Sequence, residues 1–102
     1  MKRTATSPFD QDLVKRLKSD PEYAASYFEE LAKVPLPLQL ALLRRLRGVT
    51  QQKIAAQLHV RQGYISRLEK TKSNHLLSNY EKVARVLHSK IIAVPENAKV
   101  TF

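Results

Sequence analysis

Apolar residues recur at helical spacing along most of the chain, which predicts an all-α protein of five to six helices. Pro8 can open a first helix. Residues 19–22 (Ser-Asp-Pro-Glu) are typical of a second helix start, because a side-chain oxygen, a proline and an acid all suit the first turn. The aromatic stripe of this second helix, over about residues 21–33, is assigned to the core rather than to a partner surface: Tyr23, Tyr27 and Phe28.

Two prolines near residue 35 separate this arm from the rest of the chain. The segment from Val34 to Pro37 breaks the helix, since proline removes a backbone donor and restricts the residue before it. A leucine-rich helix is predicted from Leu38 to Arg47, and Gly48 ends it because glycine tolerates the left-handed conformation. We therefore divide the chain into an N-terminal helical arm (residues 1–35, with 1–7 disordered), a central module (36–89) and a C-terminal tail (90–102).

The central module continues with three more helices. Thr50 can cap a helix that turns Ile54, Ala55 and Leu58 inward, and a short helix over about residues 62–70 is anchored by Ile65 and Leu68. Ser78 and Glu81 have the spacing of a capping box for the last helix. In the tail, the apolar run before Pro95 predicts a short β-strand, Lys90 to Val94, which has no obvious partner in the chain.

The net charge of +9 is distributed unevenly along the 102 residues. The arm carries six bases and six acids, so the whole excess lies in residues 36–102, and eight bases with one acid give residues 44–72 a net charge of +7. An asymmetric basic excess usually marks a face that binds a polyanion. Composition alone does not separate DNA, RNA, an anionic membrane and an acidic protein.

Several functional classes are disfavoured by composition. The chain has no cysteine, which excludes disulfide scaffolds, cysteine nucleophiles and zinc-thiolate fingers. His59, His75 and His88 lack metal-ligand spacing, so we predict no metal and no cofactor. The basic start at Lys2 and Arg3 is followed by polar residues, and the longest uncharged run is too short to span a bilayer, which predicts a cytoplasmic protein without membrane contact.

The segment from Thr50 to Lys70 resembles the helix-turn-helix of the Xre (Cro/phage-repressor-like) family. That family's pattern is T-Q-x-x-L-A-x-x-x-G-V-S-x-x-x-I-S-x-x-E, and eight residues stand at matching places: Thr50, Gln51, Ile54, Ala55, Val60, Ile65, Ser66 and Glu69. The small Ala55 permits a close helix crossing, and we expect Val60 to plug the turn between the helices. The resemblance implies a lambda-repressor-like DNA-binding domain whose recognition helix enters the major groove.

Two residues, His59 and Arg61, depart from the family pattern, and Gly63 is unusual for a position early in a helix. His59 stands where glycine is usual, so a left-handed turn there strains it, although His tolerates this better than most residues. Arg61 replaces the usual serine cap of the recognition helix and cannot accept an amide hydrogen bond, but it brings a cation near the DNA backbone. Gly63 lowers helix propensity while permitting close backbone approach to the groove.

The resemblance also implies roles for individual residues. Gln51 would clamp a phosphate, and Ser66 and Lys72 would make further phosphate contacts. The exposed recognition positions are Gln62, Gly63, Tyr64 and Arg67, where Gln suits adenine and Arg suits guanine. Arg44 and Glu69 would form a structural ion pair.

The arm and tail narrow the resemblance to small antitoxins of the HigA or addiction-module antidote type. Residues 20–27 match the arm pattern D-P-E-x-A-x-x-Y, and the tail resembles a V-V-P-like strand. This likeness implies a homodimer that represses its own operon and neutralises a RelE/HigB-like toxin. The tail strand would pair with its mate in the dimer or with a toxin sheet edge.

Two other functions stay open at this stage. A free-standing phage-type repressor would bind double-stranded operator DNA without any toxin. A small basic RNase toxin is disfavoured because it needs a multistranded sheet and the sequence supplies one strand. We therefore expect a transcriptional repressor and not an enzyme.

Overall fold

The computed structural model describes residues 8–70, 72 and 74–93, and over these residues it contains six helices and no strand. The helices are α1 (Pro8–Ser19), α2 (Pro21–Leu31), α3 (Leu36–Leu46), α4 (Gln51–Leu58), α5 (Gln62–Leu68) and α6 (Leu77–Val86). The prediction of an all-α chain is confirmed for this part. None of these six helices could span a membrane.

Local chemistry explains most of the helix boundaries. The backbone N–H of Tyr23 donates to Asp20 Oδ1 at 3.0 Å, so Asp20 caps α2 as its sequence suggests. Helix α3 begins at Leu36, two residues earlier than predicted. Pro37 lies in its first turn, where a missing N–H leaves no intrahelical bond unmade, and the prolines therefore open the helix instead of delaying it. Gly48 ends the segment with a φ of 63°.

The start of α6 and the tail differ from the predictions. Leu76 is the N-cap of α6 and makes no side-chain cap bond, so the predicted capping box of Ser78 and Glu81 is wrong. Helix α6 begins one residue before Ser78, which already lies inside it. Residues 89–93 have no regular secondary structure, and the rest of the predicted strand, Val94, lies outside the described residues, as do residues 1–7.

The core is formed by α3 to α6. Nine residues make one buried cluster: Leu40, Ile54, Ala55, Ile65, Leu68, Tyr80, Val83, Ala84 and Leu87. Ile54 and Ile65 are fully buried, and Ala55 and Leu68 are nearly so, which confirms the inward faces predicted for α4 and α5. Leu58 is only half-buried. This cluster fixes the two helix-turn-helix helices against α6 and α3.

Val60 does not plug the turn, contrary to the prediction. The residue is 37% exposed. The main chain closes the turn instead, because the Val60 N–H donates to the Ala55 carbonyl at 3.0 Å. Val60 is therefore fixed in the turn by its backbone hydrogen bond more than by burial of its side chain.

The arm packs on the module through α1, which contacts α3. Tyr23 and Tyr27 are half-buried, but Phe28 is 43% exposed, so its assignment to the core is wrong. Arg45 Nη2 donates to Asp10 Oδ2 at 2.7 Å and ties α1 to α3. Burial raises the pKa of the Tyr27 phenol, with smaller contributions from Tyr23 and Asp10.

The described core predicts that shortening two apolar side chains of the helix-turn-helix has very different effects on the free energy of unfolding. We expect Ile54→Ala to lower the free energy of unfolding by about 2–5 kcal/mol, because it leaves a cavity in a fully buried site. Val60→Ala, the control, should cost less than about 1 kcal/mol because Val60 is partly in solvent. Urea unfolding followed by circular dichroism measures both. Equal costs would contradict the described core.

Candidate nucleic-acid interface

Helices α4 and α5 meet at a tight turn formed by residues 59–61. Thr50 caps α4, accepting a hydrogen bond from the Lys53 N–H at 3.0 Å. His59 ends α4 with φ 57° and ψ 41°, in the left-handed region that the family's usual glycine suits. Arg61 is the N-cap of α5 and makes no side-chain cap bond. The main chain thus makes the family's turn despite both departures.

The recognition helix α5 has one buried and one open face. Ile65 and Leu68 are buried, whereas Gln62, Gly63 and Arg67 are exposed, as is Arg61 just before the helix. Ser66 is half-buried, and Lys72 is exposed beyond the C-terminal end of α5. Exposed side chains of these types are the ones that contact phosphates and base edges.

A buried ion pair joins α3 to the end of α5. Arg44 Nε donates to Glu69 Oε2 at 2.6 Å, and Arg44 Nη2 donates to Glu69 Oε1 at 3.1 Å. The side chains are 12% and 8% exposed. Arg44 Nη1 also donates to the Val49 carbonyl at 3.0 Å, which fixes the loop before α4. The bidentate geometry gives the pair a defined orientation.

Two glutamines extend this ion pair to the surface. Gln51 Nε2 donates to Glu69 Oε1 at 2.7 Å, and Gln62 Nε2 donates to Gln51 Oε1 at 2.6 Å. These are the first residues of α4 and α5, so the network ties both helix starts to the buried carboxylate. Gln62 keeps one N–H and its carbonyl oxygen, the donor and acceptor that adenine requires.

The link between the two glutamines was missed by sequence reasoning, which treated Gln51 only as a phosphate clamp. The sequence signal for this link is the position of the two residues. Gln51 is the first residue of α4 and Gln62 is the first residue of α5, and the starts of these two helices lie close together. A single sequence does not reveal which amide hydrogen points at which oxygen.

Tyr64 differs from its predicted exposed position. It is half-buried and packs against the core cluster. Its ring meets the His75 ring edge-on, with centroids 5.8 Å apart, and His75 meets Tyr80 in the same way at 6.1 Å. The Tyr80 hydroxyl accepts a hydrogen bond from the His75 N–H at 3.4 Å. Tyr64 therefore connects α5 to the loop before α6 as well as bordering the open face.

Gly63 leaves space for Arg67 one turn further along α5. A Cβ atom built on Gly63 would lie 3.5 Å from Arg67 Nη1, an ordinary contact distance. The Arg67 guanidinium thus extends back toward the N-terminal turn of the recognition helix. Neither Arg61 nor Arg67 has an ion-pair partner in the described part of the chain, so both cations are available to a polyanion.

We next consider whether the described side chains could ligate a metal ion. The described residues contain no group of three or more His, Asp or Glu side chains that could hold a metal ion. The chemical capacity of the site lies in hydrogen bonding and positive charge.

Comparison with known families identifies a matching family. The family described as "Helix-turn-helix" matches residues 40–92, slightly more than half of the chain, and this span contains α4, the turn and α5. No curated protein and no solved structure matches the chain.

Two adjacent arginines of α3 show how the burial of an ion pair affects its contribution to stability. Arg44→Gln should lower the free energy of unfolding by about 3–5 kcal/mol, because Glu69 is left as an uncompensated buried charge. Arg45→Gln should cost about 1 kcal/mol or less, since Arg45 is 53% exposed. Thermal and urea unfolding measure the two variants under the same conditions. If Arg45→Gln were as damaging as Arg44→Gln, burial would not be the reason.

Proposed function

The chain belongs to the helix-turn-helix family of DNA-binding transcription regulators, and we propose that it is a sequence-specific repressor that reads operator DNA through α5. The observation that carries this proposal is the network from the buried Arg44–Glu69 pair to Gln51 and Gln62. It holds the starts of both helix-turn-helix helices in one orientation before any ligand arrives. Preorganised side chains lose less conformational entropy on binding.

We assign base contacts to Gln62 and Arg67. Gln62 has a free donor–acceptor pair that suits adenine, and the Arg67 guanidinium suits guanine, which accepts two hydrogen bonds in the major groove. Gly63 lets the backbone approach the bases between them. Tyr64 supports this arrangement by holding α5 against His75.

Phosphate contacts are assigned to the residues around the recognition helix. They are Gln51 at the start of α4, Arg61 just before α5, Ser66 within α5 and Lys72 after it. Such contacts set position and affinity but carry little sequence information. The net charge of +7 over residues 44–72 supports this assignment.

We propose that the repressor acts as a homodimer. Helix α5 contains seven residues, so one copy reaches only a few base pairs. Useful specificity therefore needs two half-sites about one helical turn apart.

We further propose that the repressor is the antitoxin of a type II pair and neutralises a RelE/HigB-like toxin. The support is the D-P-E-x-A-x-x-Y pattern over residues 20–27, which now lies at the start of α2, with Asp20 as its cap. A phage-type repressor without a toxin is the alternative. A non-enzymatic role is favoured over an RNase toxin because the described residues form helices and no sheet.

One arginine and one lysine distinguish base reading from phosphate binding. Arg67→Ala should cost about 1–3 kcal/mol of binding free energy at one base pair and relax specificity there. Lys72→Ala should weaken binding to all duplexes alike and reduce the slope of log affinity against log salt by about 0.9. Fluorescence anisotropy with an operator selected from random duplexes, and with its single-base variants, measures both.

Lys82→Ala is the matched control for these two variants, because Lys82 is an exposed cation of α6 outside the interface. It should bind the operator nearly as tightly as the original chain. If a folded Arg67→Ala variant kept the same sequence specificity, the assignment of Arg67 to a base contact would be wrong.

The antitoxin proposal predicts a protein partner. A small basic protein encoded beside this chain should bind to it on co-expression. Co-expression of the chain should also relieve the growth arrest that this protein causes in its host cells. Arg67→Ala should retain this capture, because its change lies on the DNA face. Operator binding without capture or rescue would instead identify a free-standing repressor.

A further inference from the structure

Two adjoining pockets form an apolar groove along α3, which we call the α3 groove. The first, of about 420 Å³, lies between the end of α2, α3 and the segment after α6. The second, of about 430 Å³, lies between α1, α2 and the end of α3. Phe28 and Leu43 line both pockets, so the two meet at these side chains. No residue of α4 or α5 lines either pocket, which separates the groove from the candidate nucleic-acid interface.

Helix α3 supplies the floor of the groove over about three turns. Its lining residues recur every three or four positions and therefore share one face of the helix: Leu36, Gln39, Leu40, Leu43, Leu46 and, just after the helix, Arg47. From residue 36 to residue 47 the chain rises about 16 Å, at about 1.5 Å per residue. A floor of this length suits a partner helix, which binds an apolar groove through side chains repeated every three or four positions.

Apolar side chains remain in contact with solvent along the groove. Phe28 is 43% exposed where the two pockets meet, and Ile92 is 66% exposed at the end that follows α6. Leu17 of α1 and Leu43 of α3 are half-buried. Exposed apolar residues grouped beside a groove are typical of a surface that another molecule covers. The occupant therefore needs an apolar face of its own.

Every charged residue that the structure describes in the lining is a cation. Lys18 and Arg47 lie at the α1 end of the groove, and Lys90 lies at the other end. All three are exposed, and none has an ion-pair partner in the described part of the chain. Helices α1 and α2 contain five acids, yet none of these acids lines the groove.

The positive rim therefore follows from the arrangement of the side chains, because the adjoining helices are rich in acids that point elsewhere. Complementary charge favours an acidic occupant and steers it toward the surface. A strongly basic occupant, which includes a second copy of this chain with its net charge of +9, is disfavoured by the same rim.

We propose that the α3 groove docks an acidic amphipathic helix of a partner protein. The apolar face of that helix would cover Phe28, Leu43 and Ile92, and its carboxylates would lie next to the three unpaired cations. The inference goes beyond the proposed function and does not depend on DNA binding. Because α4 and α5 take no part, the recognition helix stays open while the partner is bound.

The test selects ligands for the full chain from random peptides about 16 residues long, displayed on phage, which is enough for about three helical turns and both ends. Counter-selection against Phe28→Gln discards peptides that bind elsewhere, including on the DNA face, because this change alters the groove and keeps the net charge. Enriched peptides should carry an excess of Asp and Glu with apolar residues at helical spacing. Enrichment of basic or uncharged peptides, or none at all, would overturn the proposal. Circular dichroism checks that Phe28→Gln is folded.

Fluorescence anisotropy with an enriched acidic peptide then measures the contribution of single residues. Phe28→Gln should raise the dissociation constant about tenfold or more, because it removes an apolar contact at the centre of the groove. Lys18→Ala and Arg47→Ala should each raise it about two- to fivefold, the range of an exposed ion pair. Lys82→Ala, an exposed cation of α6 outside the groove, is the matched control and should leave it unchanged. The two cation variants keep the test decisive if Phe28→Gln fails to fold.

Crosslinking identifies what covers the groove in the full chain. A photoreactive benzoylphenylalanine in place of Phe28 should crosslink to the acidic peptide, as read by mass spectrometry. Crosslinks that the peptide does not displace, either to a second copy or to residues 94–102 of the same chain, would overturn the proposal. Loss of a co-encoded basic protein from folded Phe28→Gln, with no acidic peptide enriched, would assign the groove to that protein instead.

The outcomes are distinguishable from those for the proposed function. If Arg67→Ala weakened the peptide as much as Phe28→Gln does, the peptide would lie on the DNA face and the inference would be wrong. A chain that binds the acidic peptide through Phe28 but binds no operator would support the groove and contradict the repressor. A chain that binds operator but enriches no acidic peptide would do the reverse.

Discussion

The buried Arg44–Glu69 ion pair is the interaction on which the DNA-facing part of the molecule depends. Removing two charges from water is costly, and their attraction offsets this only when the remaining hydrogen-bonding positions are also satisfied. Here the arginine reaches the Val49 carbonyl, and the carboxylate accepts a bond from Gln51. These polar partners have directional requirements. The pair therefore selects one arrangement of α3, α4 and α5, which apolar packing alone would leave less defined.

The turn between α4 and α5 adds a second constraint. His59 adopts a left-handed conformation, and the Val60 amide bonds back to Ala55, so the chain reverses within three residues. The strain at His59 is sustained because Ile54 and Ile65, on either side of the turn, are fully buried. Core burial thus supports a turn that the local sequence does not favour. The same burial leaves the opposite face of α5 for a ligand.

Much of the fold followed from the sequence because helical periodicity and capping are local properties. The caps at Asp20 and Thr50 and the inward faces of α4 and α5 all depend on residues within one or two turns. Phe28 belongs to the same aromatic stripe as the half-buried Tyr23 and Tyr27, yet it is 43% exposed, because burial depends on which elements pack against that face of α2. Tyr64 is similar: its half-burial depends on His75, eleven residues away in a loop without regular spacing. Long-range contacts of this kind have no signature in one sequence.

Helix α3 connects the arm to the DNA-facing part of the molecule through two adjacent arginines. Arg45 donates to Asp10 of α1, while Arg44 fixes the start of the recognition helix through Glu69 and the two glutamines. Consecutive residues of a helix point in directions about 100° apart, so one turn of α3 can bond the arm on one side and the end of α5 on the other. Because the Arg44 pair is buried and Arg45 is half in solvent, the connection to α5 constrains the fold more strongly than the connection to the arm.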